Sequence, residues 1–141
     1  RKEKHIHSGG PALAAEIKTS HCGMLPDTAI PGMSFAQRYR DGHLAEAMAT
    51  AAERHGGAIL LAGNGHIRTD RGVPWYLRHR AGNRPSLAVM LAEVEDGNTD
   101  PANYAPRDPA GKPAIDVIVF TPRAQRDDPC EKMREHMQKA K

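Results

Sequence analysis

One histidine lies in a glycine-rich turn directly behind an aliphatic run, in the stretch AILLAGNGHIRTDRGVPWYL, residues 58–77. A neutral imidazole can ligate a transition metal or haem iron, and the same ring can act as a general base near neutral pH. The glycines of GNGH let the backbone turn sharply and approach a ligand closely. Turns of this kind also simply end strands, so a structural role for His66 stands beside the functional one.

The aliphatic run before this turn, residues 58–62, predicts a strand buried on both faces, as in a parallel sheet. The loop then leaves from the carboxyl end of the strand, where open α/β sheets usually bind ligands. We therefore expect Asn64, His66 and Arg68 to lie at a binding site. Asn64 is expected to hold the turn by side-chain hydrogen bonds.

A second polar group lies on the apolar stripe of a long helix, predicted from Met33 to His55. At about 100° per residue, Gln37 and Asp41 share the stripe of Leu44. Asp41 then either pairs with a structural arginine or backbone group, or joins Gln37 in bracing a ligand pocket. In the second case we expect Asp41 to bond one ring nitrogen of His66 and so set the tautomer of the other.

The opposite face of this helix carries two aromatic residues, Phe35 and Tyr39. They predict a small exposed patch. Such a patch can mediate self-association, or it can be covered by another part of the same domain.

The remaining pattern predicts an α/β fold, a partial, mostly parallel sheet flanked by helices. Two further strands are expected in 86–95 and 114–122, parallel or antiparallel, with residues 96–113 crossing the surface as a hairpin-type connection. Short helices are expected in 11–20 and 73–80. Residues 1–10 suit a flexible arm or loop end, and residues 124–141 suit a polar helical tail, capped at Asp127 or Asp128.

Composition gives no sign of a nucleic-acid partner, because the net charge is +3 and the basic residues are scattered. No apolar stretch is long enough for a membrane span, and the first residues lack the apolar core of a signal peptide. Because the sequence does not begin with Met, we expect an upstream segment that could hold a targeting signal. Cys22 and Cys130 lie far apart, which predicts neither a zinc site nor a disulfide framework.

Four segments, taken in order, resemble the C-terminal half of the ChaN-type haem-binding uptake proteins: EIKTSHCGMLPD, PGMSFAQRYRDGHLAEAM, LLAGNGHIRTDRGVPWYL and FTPRAQRDDPC. The resemblance covers about residues 11–135 and makes 11–123 the second half of a ChaN-like α/β domain. That family is similar to the erythromycin esterases and the Tiki metalloproteases, in which a Gly-x-x-His motif contributes to the site. The resemblance implies that His21, Gln37, Asp41 and His66 are motif positions. The family's first half, with its GExH-type motif, is absent from this chain.

The function implied by the resemblance is haem binding for iron acquisition, in a carrier or storage role rather than turnover. The alternative is a metal-dependent or His-based hydrolase, in which His66 holds a divalent transition metal or activates water. A folded domain whose loop has only a structural role is the third interpretation. The expected cofactor contacts are His21, Gln37, Asp41, Asn64, His66 and Arg68, with His66 as the metal ligand, Met24, Met33, Leu44 and Met48 as apolar walls, and Arg38, Arg40 and Arg68 for the propionates.

The resemblance also implies partners and a location. A homodimer bridged by haem would supplement the few aromatic residues of this chain, which make up 4% of it. The missing N-terminal half of the same domain would complete the pocket. The family resemblance further implies a periplasmic or outer-membrane-anchored protein, as a lipoprotein.

Overall fold

A computed structural model describes residues 10–139 of the 141-residue chain. The predicted arm therefore lies outside the described residues, apart from Gly10, which begins the first helix. The elements form a mixed α/β fold, as the sequence predicts. In chain order they are α1 (Gly10–Ser20), a 3-10 turn (Asp27–Ala29), α2 (Ile30–His55), α3 (Val73–His79), β1 (Val89–Glu93), a second 3-10 turn (Pro101–Asn103), β2 (Val117–Thr121) and α4 (Pro129–Lys139).

The helix α2 is the central element, and it begins three residues before the predicted start. Pro31 lies in its first turn, where a missing N–H costs nothing. Gly56 ends it in the left-handed conformation, with φ 77° and its N–H donating to the Ala52 carbonyl over 2.8 Å. A glycine adopts this conformation without the steric cost that a Cβ atom would bring.

Two apolar clusters attach the other helices to α2. Ala45 of α2 packs against Val73, Tyr76 and Leu77 of α3. The second cluster joins Leu13 and Ile17 of α1 to Ile30 at the start of α2; partly buried Met33 packs on it. The helix α2 is therefore held at its start and near its middle, with its polar residues 37 and 41 between the two clusters.

The sheet has two strands in the described part of the chain, and they are parallel, from Val89 opposite Val117 to Glu93 opposite Thr121. The expectation of a hairpin-type connection is wrong, because a hairpin joins antiparallel strands. The connection instead contains the second 3-10 turn and an isolated bridge between Arg107 and Pro113. Tyr104 of this connection packs edge-on against Phe120, with 5.2 Å between the ring centroids.

The prediction that the aliphatic run 58–62 forms a strand buried on both faces is wrong. It has no strand pairing, and burial alternates along it, with the side chains of Ile59 and Leu61 93% and 91% exposed. Leu60 packs on the cluster between α2 and α3. Successive side chains of an extended chain point to opposite sides, so the helices cover only one side of the run.

A disulfide joins Cys22, just after α1, to Cys130 in α4, with 5.7 Å between the Cα atoms. Local spacing does not indicate this bond, because the two residues are 108 positions apart. At the start of α4, the Asp128 carboxylate accepts the Cys130 N–H over 2.8 Å and caps the helix, as one of the two predicted caps. Across the described residues, no helix is both long and apolar enough to cross a membrane.

Candidate functional site

The predicted contact between Asp41 and His66 is confirmed. The distance from Asp41 Oδ1 to His66 Nδ1 is 2.6 Å. Asp41 is only 2% exposed, because the inner face of α2 carries it beneath the turn. A ring nitrogen this close to a carboxylate forms a strong, charge-assisted hydrogen bond when either group is charged.

Burial of the Asp41 carboxyl group raises its pKa, because a charge is poorly solvated there. Hydrogen bonds from His66 and Gln37 oppose this effect, and the charge of Glu16 adds to it. The Gln37 amide nitrogen also lies 2.9 Å from His66 Nδ1. A nitrogen that donates to Asp41 cannot accept a second hydrogen, so the amide hydrogen of Gln37 has the Asp41 carboxylate as its acceptor.

The other ring nitrogen of His66, Nε2, has no hydrogen-bond partner among residues 10–139. The His66 side chain is 20% exposed, and its Nδ1 edge is held by Asp41. With Nδ1 donating to Asp41, the neutral ring has its lone pair on Nε2. That nitrogen can ligate iron or another metal ion, or accept a proton from water.

The GNGH turn is fixed by main-chain bonds at both ends. The His66 N–H donates to the Gly63 carbonyl over 2.9 Å, and the His66 carbonyl accepts the Val73 N–H over 2.7 Å at the start of α3. A Cβ atom on Gly72 would lie 2.3 Å from the His66 oxygen. Only glycine allows this approach, so Gly72 is required for the position of His66.

A group of ion pairs lies beside the turn, and local sequence patterns do not predict most of it. Arg71 donates to the carboxylates of Glu16 and Asp70. Both arginines of this group, Arg68 and Arg71, are 6% exposed. A Cβ atom on Gly65 would be 3.3 Å from a Glu16 oxygen, which places α1 against the turn. No local pattern indicates this group, because Glu16 and Arg71 are 55 residues apart.

Arg68, predicted to contact a cofactor, is the second cation of this group. Its Nε and one terminal nitrogen each donate to Asp70 over 2.9 Å, and the terminal nitrogen also reaches the Arg107 carbonyl over 2.8 Å. A propionate would therefore compete with Asp70 for this guanidinium. Its contact with a cofactor stays a prediction.

Asn64 and His21 have hydrogen-bond partners other than Asp41 and His66. The Asn64 side-chain nitrogen is 3.4 Å from the Leu91 carbonyl, so it links the turn to β1. Asn64 also lines a groove of about 520 Å³ beside β1, and His66 is not part of that lining. His21 Nδ1 is 2.8 Å from the Ile17 carbonyl, which agrees with the capping alternative.

Three of the expected apolar wall residues pack within the two helix clusters. Met33 packs beside α1, and Leu44 and Met48 pack beside α3. In the described residues, no group of three or more His, Cys, Asp or Glu side chains could hold a metal ion. An axial haem bond requires only one imidazole nitrogen, and His66 Nε2 fits that requirement.

Comparison with known proteins adds one match. The model of a family described as haem-binding uptake, Tiki superfamily, ChaN, matches residues 7–77, half of the chain. The match includes α1, α2 and the GNGH turn. No curated protein and no solved structure is significantly similar to the chain.

Proposed function

This chain belongs to the haem-binding uptake family of the Tiki superfamily, ChaN type, and on that premise we propose that it binds haem in iron acquisition. Its role is to carry or store haem rather than to transform it. His66 is the residue proposed to contact the iron or the haem edge.

The geometry of His66 is the single observation that carries this proposal. Asp41 holds Nδ1 at 2.6 Å, and Nε2 has no hydrogen-bond partner among the described residues, on a side chain that is 20% exposed. A carboxylate on the far ring nitrogen orients a metal-bound histidine and makes it a better electron donor. Bound haem would supply an iron centre that accepts an imidazole ligand. His66 would supply that imidazole, with its ring orientation fixed by Asp41.

Charged side chains of α2 support the binding of propionates. Arg40 is exposed, and Arg38 is half-buried with its Nε 3.3 Å from the Ser34 carbonyl. Arg68 is the third proposed cation, in competition with Asp70. His21 and Asn64 are the remaining proposed contacts.

Two partners belong to the same proposal. We propose that haem is held between two copies of the chain, which would add apolar walls that one copy lacks. We also propose that an N-terminal half of the domain covers the run 58–62, because Ile59 and Leu61 are more than nine-tenths exposed. A periplasmic or outer-membrane-anchored lipoprotein is the proposed setting.

Titration of the full chain with haemin, followed by absorbance, tests the haem proposal. We expect a Soret band displaced from that of free haemin, saturating at one haem per chain or per pair of chains. A spectrum identical to free haemin at every protein concentration would contradict it.

The second candidate is a metal-dependent or His-based hydrolase. It is favoured by Nε2 of His66, which has no hydrogen-bond partner among the described residues and can accept a proton from water while Asp41 stabilises the charged ring. Turnover of ester or peptide substrates on addition of Zn²⁺, Mn²⁺ or Co²⁺, without a displaced Soret band, would support this candidate over haem binding.

A further inference from the structure

The outward face of α2, directly opposite Asp41, carries a ladder of exposed rings. Phe35 and Tyr39 are 63% and 59% exposed and stack with their centroids 6.1 Å apart. Tyr39 meets His43 edge-on, with 4.3 Å between the centroids. The ladder confirms the exposed aromatic patch expected from the sequence and lengthens it by one turn. The rings support one another and form an ordered surface.

The same face changes character in its second half. Beyond the ladder, this face carries the small side chains of Ala47, Thr50 and Ala51, with Glu46 and Arg54 among its charged residues. The first half of the face therefore carries large rings, and the second half carries small side chains between charged ones. Such a surface is complementary to its own copy turned end for end.

We propose that a second copy of this chain docks on this face, with the two α2 helices antiparallel and related by a two-fold axis between positions 44 and 45. In this arrangement, a residue of one copy and a residue of the other lie at the same height along the helix pair when their residue numbers add up to 89. Tyr39 lies over Thr50 of the partner subunit, where the small side chain leaves room for the ring. A two-fold axis repeats each contact, so one favourable pair counts twice.

Charge supports the same register. His43 comes level with Glu46 of the partner subunit, so an imidazole N–H can donate to a carboxylate. Phe35 comes level with Arg54 of the partner subunit, and a guanidinium over an aromatic ring is attractive. A parallel pairing would instead place each Glu46 against its own copy, and like charges across an interface disfavour it.

The contact is modest in size. From Phe35 to Arg54 the helix is roughly 30 Å long, and one helix pair buries less surface than a stable interface of about 1,600 Å². We therefore expect a dimer with a dissociation constant on the order of micromolar.

Sedimentation velocity of the full chain without haem, over a range of concentrations, tests the surface. We expect a monomer–dimer equilibrium that F35S/Y39S shifts at least tenfold toward monomer, with an unchanged circular dichroism spectrum. Leu87→Ser is the matched control, because Leu87 is also exposed, at 69%, but lies outside α2. A monomer at every concentration, or a dimer weakened only by Leu87→Ser, would overturn the proposal.

Cross-linking tests the register. The variants Tyr39→Cys and Thr50→Cys are treated with a short bismaleimide, singly and as a mixture; the native cysteines are protected by their disulfide. We expect the mixture to cross-link far more than either variant alone. Equal cross-linking by Thr50→Cys alone would contradict the antiparallel register.

Dimer formation through this face and haem binding can be tested independently of each other. A dimer that forms only after haemin is added would exclude this surface and leave haem binding intact. A haem-free dimer that shows no displaced Soret band would do the reverse.

Discussion

Replacement of Asp41 by Asn tests the electrostatics beneath the GNGH turn. The substitution keeps the size of a side chain that is 2% exposed and removes its charge. Burial raises the pKa of the Asp41 carboxyl group, so the folded chain holds that proton to a higher pH than the unfolded chain does. The unfolding free energy of the wild type must then fall as pH rises through the folded-state pKa. The Asp41 carboxyl group makes its full contribution to the unfolding free energy only below the unfolded-state pKa, where it is protonated in both states.

The Asp41→Asn variant has no titrating group at position 41, so a comparison of its stability with that of the wild type isolates the titration of Asp41. A tenfold difference between the acid dissociation constants of the folded and unfolded chains corresponds to about 1.4 kcal/mol of unfolding free energy. We expect Asp41→Asn to gain stability relative to the wild type as the pH rises from the unfolded-state pKa through the raised folded-state pKa, by an amount that reports how far burial raises the pKa. A second effect concerns ligand affinity. Loss of a carboxylate that orients a ligating histidine costs about 10-fold to 100-fold, or roughly 1.4 to 2.7 kcal/mol.

Urea unfolding at a series of pH values, followed by far-ultraviolet circular dichroism, measures the first effect. Because the two proteins share every other titrating group, the difference between their unfolding free energies removes the contribution of groups that do not contact Asp41. If that difference moves in favour of the wild type as pH rises, the ionised carboxylate is stabilised by its partners more than burial penalises it. The assignment of burial as the dominant cause would then be wrong.

Three further predictions concern the structure around the site. Gly72→Ala should destabilise the chain by about 1 to 3 kcal/mol, because its Cβ would lie 2.3 Å from a main-chain oxygen, whereas Gly57→Ala, in open space, should not; thermal melts compare them. Asp70→Asn should cost about 3 to 5 kcal/mol in urea unfolding, since it leaves two buried guanidinium groups short of a partner. Reduction of Cys22–Cys130, whose cysteines are 108 residues apart, should lower the unfolding free energy by about 2 to 5 kcal/mol.

Each of these has an outcome that would contradict it. Equal melting temperatures for the two glycine variants would mean that the turn shifts freely. For the ion pairs, Glu53→Gln is the control, because Glu53 pairs with Arg84 at the surface and should matter little. An equal loss of unfolding free energy in Asp70→Asn and Glu53→Gln would mean that burial of the ion pair does not determine how destabilising its removal is. Identical unfolding curves with and without reductant would exclude a stabilising role for the disulfide.

The helical periodicity of α2 is the feature that the sequence predicts most directly. A repeat of about 3.6 residues places Asp41 inward and Phe35 outward whatever the neighbours are. The glycines and the position of GNGH after an extended segment then bring His66 to the same side. The contact between Asp41 and His66 could therefore be predicted from local patterns.

Tertiary partners could not be predicted in this way. An aliphatic run such as 58–62 has the same pattern whether helices cover one side or both, so its burial depends on what packs against it. The pairing of Glu16 with Arg71 and of Cys22 with Cys130 spans 55 and 108 residues, and local spacing contains no information about such distances. Arg68 has the right charge for a propionate, but the neighbouring sequence does not reveal that Asp70 already binds it.

The affinity of His66→Ala for haemin tests the central claim most directly. Titrations of the wild type, His66→Ala and His136→Ala are compared by Soret absorbance; His136 is an exposed histidine of α4 and controls for nonspecific imidazole binding. We predict that His66→Ala weakens binding about tenfold or more and changes the Soret position, with the circular dichroism spectrum unchanged, while His136→Ala matches the wild type. Equal affinity and an equal spectrum for all three proteins would contradict the assignment of His66 as the haem contact.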